Sequence, residues 1–109
     1  MAFHINPNLA LTVFFIFLSS FSSLAQASEA KKLLFINSYH AGYEWSDGIE
    51  NGLQAGLEGS NVLLEKFYMD TKRNRDKQAI VEAAEAAKNK IEELGPDIVV
   101  TADDNAAKH

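Results

Sequence analysis

The sequence predicts an α/β fold, a partial doubly wound (Rossmann-like) parallel sheet built β-α-β-α-β with strand order 2-1-3. Three observations predict it. Short apolar runs at residues 32–37, 62–69 and 97–102 alternate with two longer stretches of helical periodicity, the rhythm of consecutive right-handed β-α-β units. The first and third runs are apolar, as strands covered on both faces are, while the second carries Glu65 and Lys66. Placing the charged strand at an edge and the first strand between the other two gives the order 2-1-3.

Taken in chain order, the first strand is KLLFIN, residues 32–37, bounded by polar residues. Residues 38–44 (SYHAGYE) have turn character. A helix follows, with Trp45, Ile49, Leu53 and Leu57 recurring every four residues as its predicted apolar face and Ser46 as a nearby N-cap. Gly48, Gly52 and Gly56 form a second stripe. Because Glu50, Gln54 and Glu58 share the helix, the glycines are expected to let its backbone approach the sheet, rather than to pair helices in a membrane. The second strand, residues 62–69 (VLLEKFYM), leads to a polar loop, DTKRN. The next helix sets Ile80, Ala84, Ala87, Ile91 and Leu94 on one face and stops at Gly95-Pro96. The third strand, residues 97–102 (DIVVTA), leads into Asp103, Asp104 and Asn105, which open a third helix.

Residues 1–27 read as a signal peptide. LALTVFFIFL, residues 9–18, has the length of an h-region, and Ala25-Gln26-Ala27 supplies a small-x-small site that places the cut after Ala27. The leader MAFHINPN lacks Lys and Arg, and an uncleaved anchor is the competing reading. All the Lys, Arg, Asp and Glu residues lie after Ser28, so the net charge of −5 belongs to residues 28–109. That balance gives no electrostatic footprint for nucleic acid or an anionic membrane. The absence of cysteine excludes disulfides, thiolate metal sites and lipid attachment through a cysteine.

Ligands of open α/β sheets bind beyond the carboxyl ends of the strands, where strand order reverses. With order 2-1-3 that crevice lies between the loops after strands one and three. The candidate ligand-binding residues are therefore Ser38, Tyr39, His40 and Tyr43 on the first loop and Asp103, Asp104 and Asn105 on the third. Each has a plainer reading. Tyr39, Tyr43 and Trp45 either stack on a ligand or cover the edge of the sheet, and for Trp45 core packing is preferred. His40 has no second ligand at metal-site spacing, so no metal is expected. Asp104 or Asn105 serves as a helix cap, which leaves Asp103 free. Lys72, Arg73 and Arg75, farther from the switch point, read as a solvated loop. Glycine-rich nucleotide loops, a Gly-x-Ser-x-Gly elbow and a receiver-domain acidic pair are all missing, so neither a cofactor nor catalysis is expected.

Several segments taken together resemble one family: a leader, Asn37-Ser38-Tyr39-His40 with Gly42 and Trp45, then residues 68–73 (YMDTKR), Pro96-Asp97, and residues 102–106 (ADDNA). They are similar to the ABC-transporter substrate-binding proteins of type I periplasmic-binding fold, a family whose domain also serves as the sensor of some histidine kinases. The resemblance implies two α/β lobes hinged around a small molecule, with residues 28–109 as the incomplete N-terminal part of the first lobe. It also implies a periplasmic, monomeric binding protein that delivers its ligand to an ABC permease. The alternative is the extracytoplasmic sensing domain of a membrane histidine kinase. An exported enzyme with its catalytic residues elsewhere is a third reading. The incomplete strand-helix pattern leads us to expect a truncated gene product or a fragment of a longer reading frame, one that binds weakly or not at all by itself.

Overall fold

A computed structural model describes residues 28–109; the predicted signal peptide lies outside the described residues. The element order is β1 (Lys31–Asn37), α1 (Glu44–Leu57), β2 (Val62–Tyr68), α2 (Lys77–Leu94), β3 (Ile98–Ala102) and α3 (Asp104–Lys108). The three strands form one parallel sheet in the order β2-β1-β3, as the charge of the second strand predicts. Register runs from Lys31 opposite Val62 to Asn37 opposite Tyr68, and from Leu33 opposite Ile98 to Asn37 opposite Ala102. Asn37, Tyr68 and Ala102 therefore end level, and the three following loops leave from one edge.

Alternation along β1 divides the core in two. Leu33 and Phe35 pack with Ala102 and are covered by Leu53 and Leu57 of α1, with Val62, Leu64 and Val100 beside them. Leu34 and Ile36 point the other way, joining Met69, Ala87, Ala84, Ile91 and Leu94 under α2. One helix thus covers each face, and β1, with its last five residues buried, is the centre of both clusters. Asp76 caps α2, its carboxylate accepting from the Gln78 and Ala79 backbone N–H groups, and Gly95 closes the helix in a left-handed conformation at φ 56°. A side chain is disfavoured there.

Four expectations need correction. Trp45 is 67% exposed and does not join the core. A strict spacing of four advances 40° per step around a helix of 3.6 residues per turn, so Trp45 and Leu57 point roughly 120° apart. The face of α1 turned to the sheet is instead Ser46, Glu50, Leu53 and Leu57, whose 4-3-4 spacing does not drift. Ser46 is consequently a fully buried residue inside the first turn, its hydroxyl donating to the Tyr43 carbonyl, and the N-cap position falls to Tyr43 without a side-chain cap. The glycine stripe lies off the sheet face as well. Among the described residues a Cβ at Gly48, Gly52 or Gly56 would meet nothing within 4 Å, so close approach to the sheet does not explain these glycines. Finally, β3 is only partly covered: Ile98 and Val99 are 52% and 39% exposed, because among the described residues β3 pairs with β1 alone.

Candidate functional site

The carboxyl edge of the sheet is stitched together by hydrogen bonds among the three tip loops. Ser38 is fully buried directly after β1. Its backbone N–H and its hydroxyl both donate to the Ala102 carbonyl, at 3.1 and 2.7 Å, and the hydroxyl oxygen accepts from the Ala106 N–H at 2.9 Å. Ala106 is the third residue of α3, the position whose N–H an N-cap side chain ordinarily satisfies. Ser38 thus caps α3 from another loop. The expectation that Asp104 or Asn105 caps this helix is corrected accordingly. The N-cap position belongs to Asp103, whose own side chain makes no capping bond.

The loop after β2 is tied in from the other side. Thr71, almost fully buried, donates from backbone N and hydroxyl to the Ser38 carbonyl, at 2.9 and 2.5 Å. Its hydroxyl oxygen in turn accepts from the Asn105 side-chain amide at 2.9 Å. The Asp70 N–H reaches the Tyr39 carbonyl, and the Met69 N–H reaches the Asn37 carbonyl. Asn37, fully buried at the end of β1, accepts the Tyr39 N–H on its side-chain oxygen. Ser38 and Asn105 therefore spend their polar groups inside the protein, as the frame on which the other groups of the edge stand.

The remaining groups of the edge form two sets. On the side of β2, the Tyr39 and Tyr43 rings meet edge to face with centroids 4.9 Å apart, and the Lys72 ammonium lies 5.5 and 5.2 Å from the two centroids. His40 sits 5.9 Å from the Tyr43 ring. Its Nδ1 is buried, has no hydrogen-bond partner among the described residues, and lies 3.7 Å from an Asp70 carboxylate oxygen, beyond hydrogen-bonding distance. Asp70 adopts a left-handed backbone, φ 55°, and holds Arg73 through two bonds of 2.7 and 2.8 Å. The hydrogen bond from the Arg73 guanidinium holds the Asp70 carboxyl below its ordinary pKa against the opposing effect of desolvation, with the charges of Arg73 and His40 adding to the lowering. A surface depression lined by Tyr43, Glu44, Trp45, Gly48 and Ile49 adjoins this set. It overhangs the sheet, since Glu50 already reaches Tyr68, the last residue of β2, and Trp45 stands about 7 Å farther along the helix.

On the side of β3 stands Asp103. Its backbone, at φ 68° and ψ 173°, occupies a region that residues with a side chain rarely adopt, at a cost of about 1–3 kcal/mol. Its Oδ2 is buried and has no partner among the described residues. Asp104 points outward and pairs with Lys108 at 3.2 Å on the exposed flank of α3. Of the seven sequence candidates, Tyr39, His40, Tyr43 and Asp103 present unspent chemistry at the edge, Ser38 and Asn105 build it, and Asp104 faces away.

Sequence reasoning set the loop of Thr71 and Lys72 aside as farther from the switch point, and read Lys72 as solvated. Strand order held the available signal: β2 neighbours β1 as closely as β3 does, so a polar loop one residue beyond Tyr68 must touch the loop beyond Asn37. Among the described residues no group of His, Asp and Glu side chains assembles a metal site, and no helix is long and apolar enough to cross a membrane. Comparison with known protein families, with curated proteins and with solved structures finds no match to this chain.

Proposed function

We propose that this protein is a small-molecule binding module, the N-terminal part of the first lobe of an extracytoplasmic solute-binding protein that serves an ABC importer. One observation carries the reading: the stitched carboxyl edge holds Tyr39, Tyr43 and Asp103, whose Oδ2 has no partner among the described residues, on a frame of buried hydrogen bonds. Such a frame keeps the ordering cost of binding low, because the contacting groups stand in place before the ligand arrives. The strained backbone of Asp103 agrees with this, since strain concentrates where function requires it. Similarity of residues 37–45, 68–73 and 102–106 to the periplasmic substrate-binding family supports the same reading, and the leader-like residues 1–27 supply export.

Under this reading the module contributes one wall of a cleft and the second lobe the other. In the two-lobe protein, ligand at a hundredfold its Kd stabilises the fold by about 2.7 kcal/mol. The test is a thermal-shift panel of amino acids, sugars and amines against that protein, repeated with Tyr39→Ala and Asp103→Ala. Loss of the ligand-dependent shift in both variants, with the unliganded Tm kept, is the expected result. Full retention of affinity in both removes the edge from the binding site.

A further inference from the structure

We propose that the edge receives a cationic group, an ammonium or alkylammonium, on the Tyr39–Tyr43 pair, in the place that Lys72 occupies from within. The proposal rests on the small-molecule reading and narrows its ligand class. A cation within about 6 Å of an aromatic centroid is attracted by the ring's electron-rich face, and Tyr is a good partner. Lys72 satisfies this for two rings at once, with its ammonium 5.5 Å from Tyr39 and 5.2 Å from Tyr43. The rings are inclined at 68°, so their surfaces converge on a single charge.

Lys72 has no carboxylate within 4.0 Å among the described residues, although the protein carries fifteen Asp and Glu against ten Lys and Arg. The neighbouring base differs. Arg73 is fixed by two bonds to Asp70 and is not available to the rings. Lysine is a compact charge on a flexible four-carbon stem, so it swings clear without disturbing the loop that Thr71 anchors. The aromatic pair is thus a cation seat with an internal occupant, and a ligand cation competes with Lys72 for it.

The test is an NMR titration of the full chain at constant ionic strength with three probes: tetramethylammonium, its neutral counterpart neopentyl alcohol, and acetate. The Tyr39 and Tyr43 ring signals should move with tetramethylammonium and far less with the alcohol. Lys72→Met should tighten tetramethylammonium binding roughly two- to five-fold. Tyr43→Leu should abolish it, and Tyr43→Phe, which keeps the ring, should retain it. Equal response to the alcohol overturns the cation seat while leaving a small-molecule site at this edge. Acetate binding that is lost in Lys72→Met makes Lys72 an anion donor and overturns it too. Silence of the ring signals to all three probes overturns it as well, and the ligand panel described above then decides separately whether the edge binds small molecules.

Discussion

Replacing Ser38 by alanine tests the stitched edge at its centre. The side chain is fully buried, and its one hydroxyl serves two elements, donating to the Ala102 carbonyl at 2.7 Å and accepting from Ala106 N–H at 2.9 Å. The first loss is modest, because Ala102 keeps the Ser38 backbone N–H at 3.1 Å; a net contribution of about 0.5–1.5 kcal/mol is at stake. The second loss is that of a helix cap, costing about 0.5–2 kcal/mol. The sum is roughly 1–3.5 kcal/mol. For a domain of this size each kcal/mol moves Tm by about 4–8 °C. Urea and thermal denaturation of the full chain should therefore show Ser38→Ala melting on the order of 10 °C lower. Ser60→Ala is the control, since that hydroxyl bonds the Leu57 carbonyl on the exposed side of a turn and its loss should stay within about 0.5 kcal/mol. A Ser38→Ala cost as small as the control's would refute the claim that this hydroxyl binds the β1 loop to β3 and α3.

The Glu50 carboxylate lies half-buried against Lys66 at 2.6 Å and Tyr68 at 2.5 Å. Desolvation raises its pKa, but the Lys66 and Tyr68 bonds outweigh that and hold it below the ordinary value, so its contribution to stability is present above the unfolded pKa and lost as pH falls through the folded one. Burial, then the bond to Glu50, pushes Tyr68 up to about 12, so a second loss should appear as pH rises from 10 toward that value. Glu50→Gln should flatten the acid limb of a stability–pH curve, and an unchanged limb would count against the pairing. Gly52→Ala should stabilise α1 by about 0.5–1 kcal/mol, because its Cβ meets nothing; destabilisation in urea melts would reveal a close contact. Asp103→Gly should raise Tm by relieving the positive-φ strain while weakening ligand capture, and a lower Tm would show that the backbone there is unstrained.

The legible parts of the fold were those in which local pattern and tertiary demand coincide. Ile80, Ala84, Ala87, Ile91 and Leu94 alternate spacings of four and three, stay on one side of α2, and four of the five pack on Leu34 and Ile36. Trp45, Ile49, Leu53 and Leu57 look as regular in sequence but wind around α1, and the true face includes Ser46 and Glu50, polar residues that no hydrophobic pattern selects. Glu50 is tolerated there because Lys66 and Tyr68 meet it, so the charge that marks β2 as an edge strand also completes the α1 interface. At the carboxyl edge, strand order alone brought the β1 and β3 loops together. The division of labour within them was not readable, because it depends on which hydroxyl finds which backbone group: Ser38 reaches across to cap α3, and the Asp103 Oδ2 has no partner among the described residues. Lys72 reads as solvated in sequence for a related reason, since a cation resting on aromatic faces leaves no spacing signature in the chain.

Chemical-shift mapping of whichever compound the ligand panel selects, on the isotopically labelled full chain, probes the binding edge most directly. The largest changes should fall in residues 38–43, 70–73 and 103–106, on the loops that Ser38 and Thr71 join. Changes centred instead on the opposite edge, around Asn61 and Asp97, would contradict a ligand site at the strand tips.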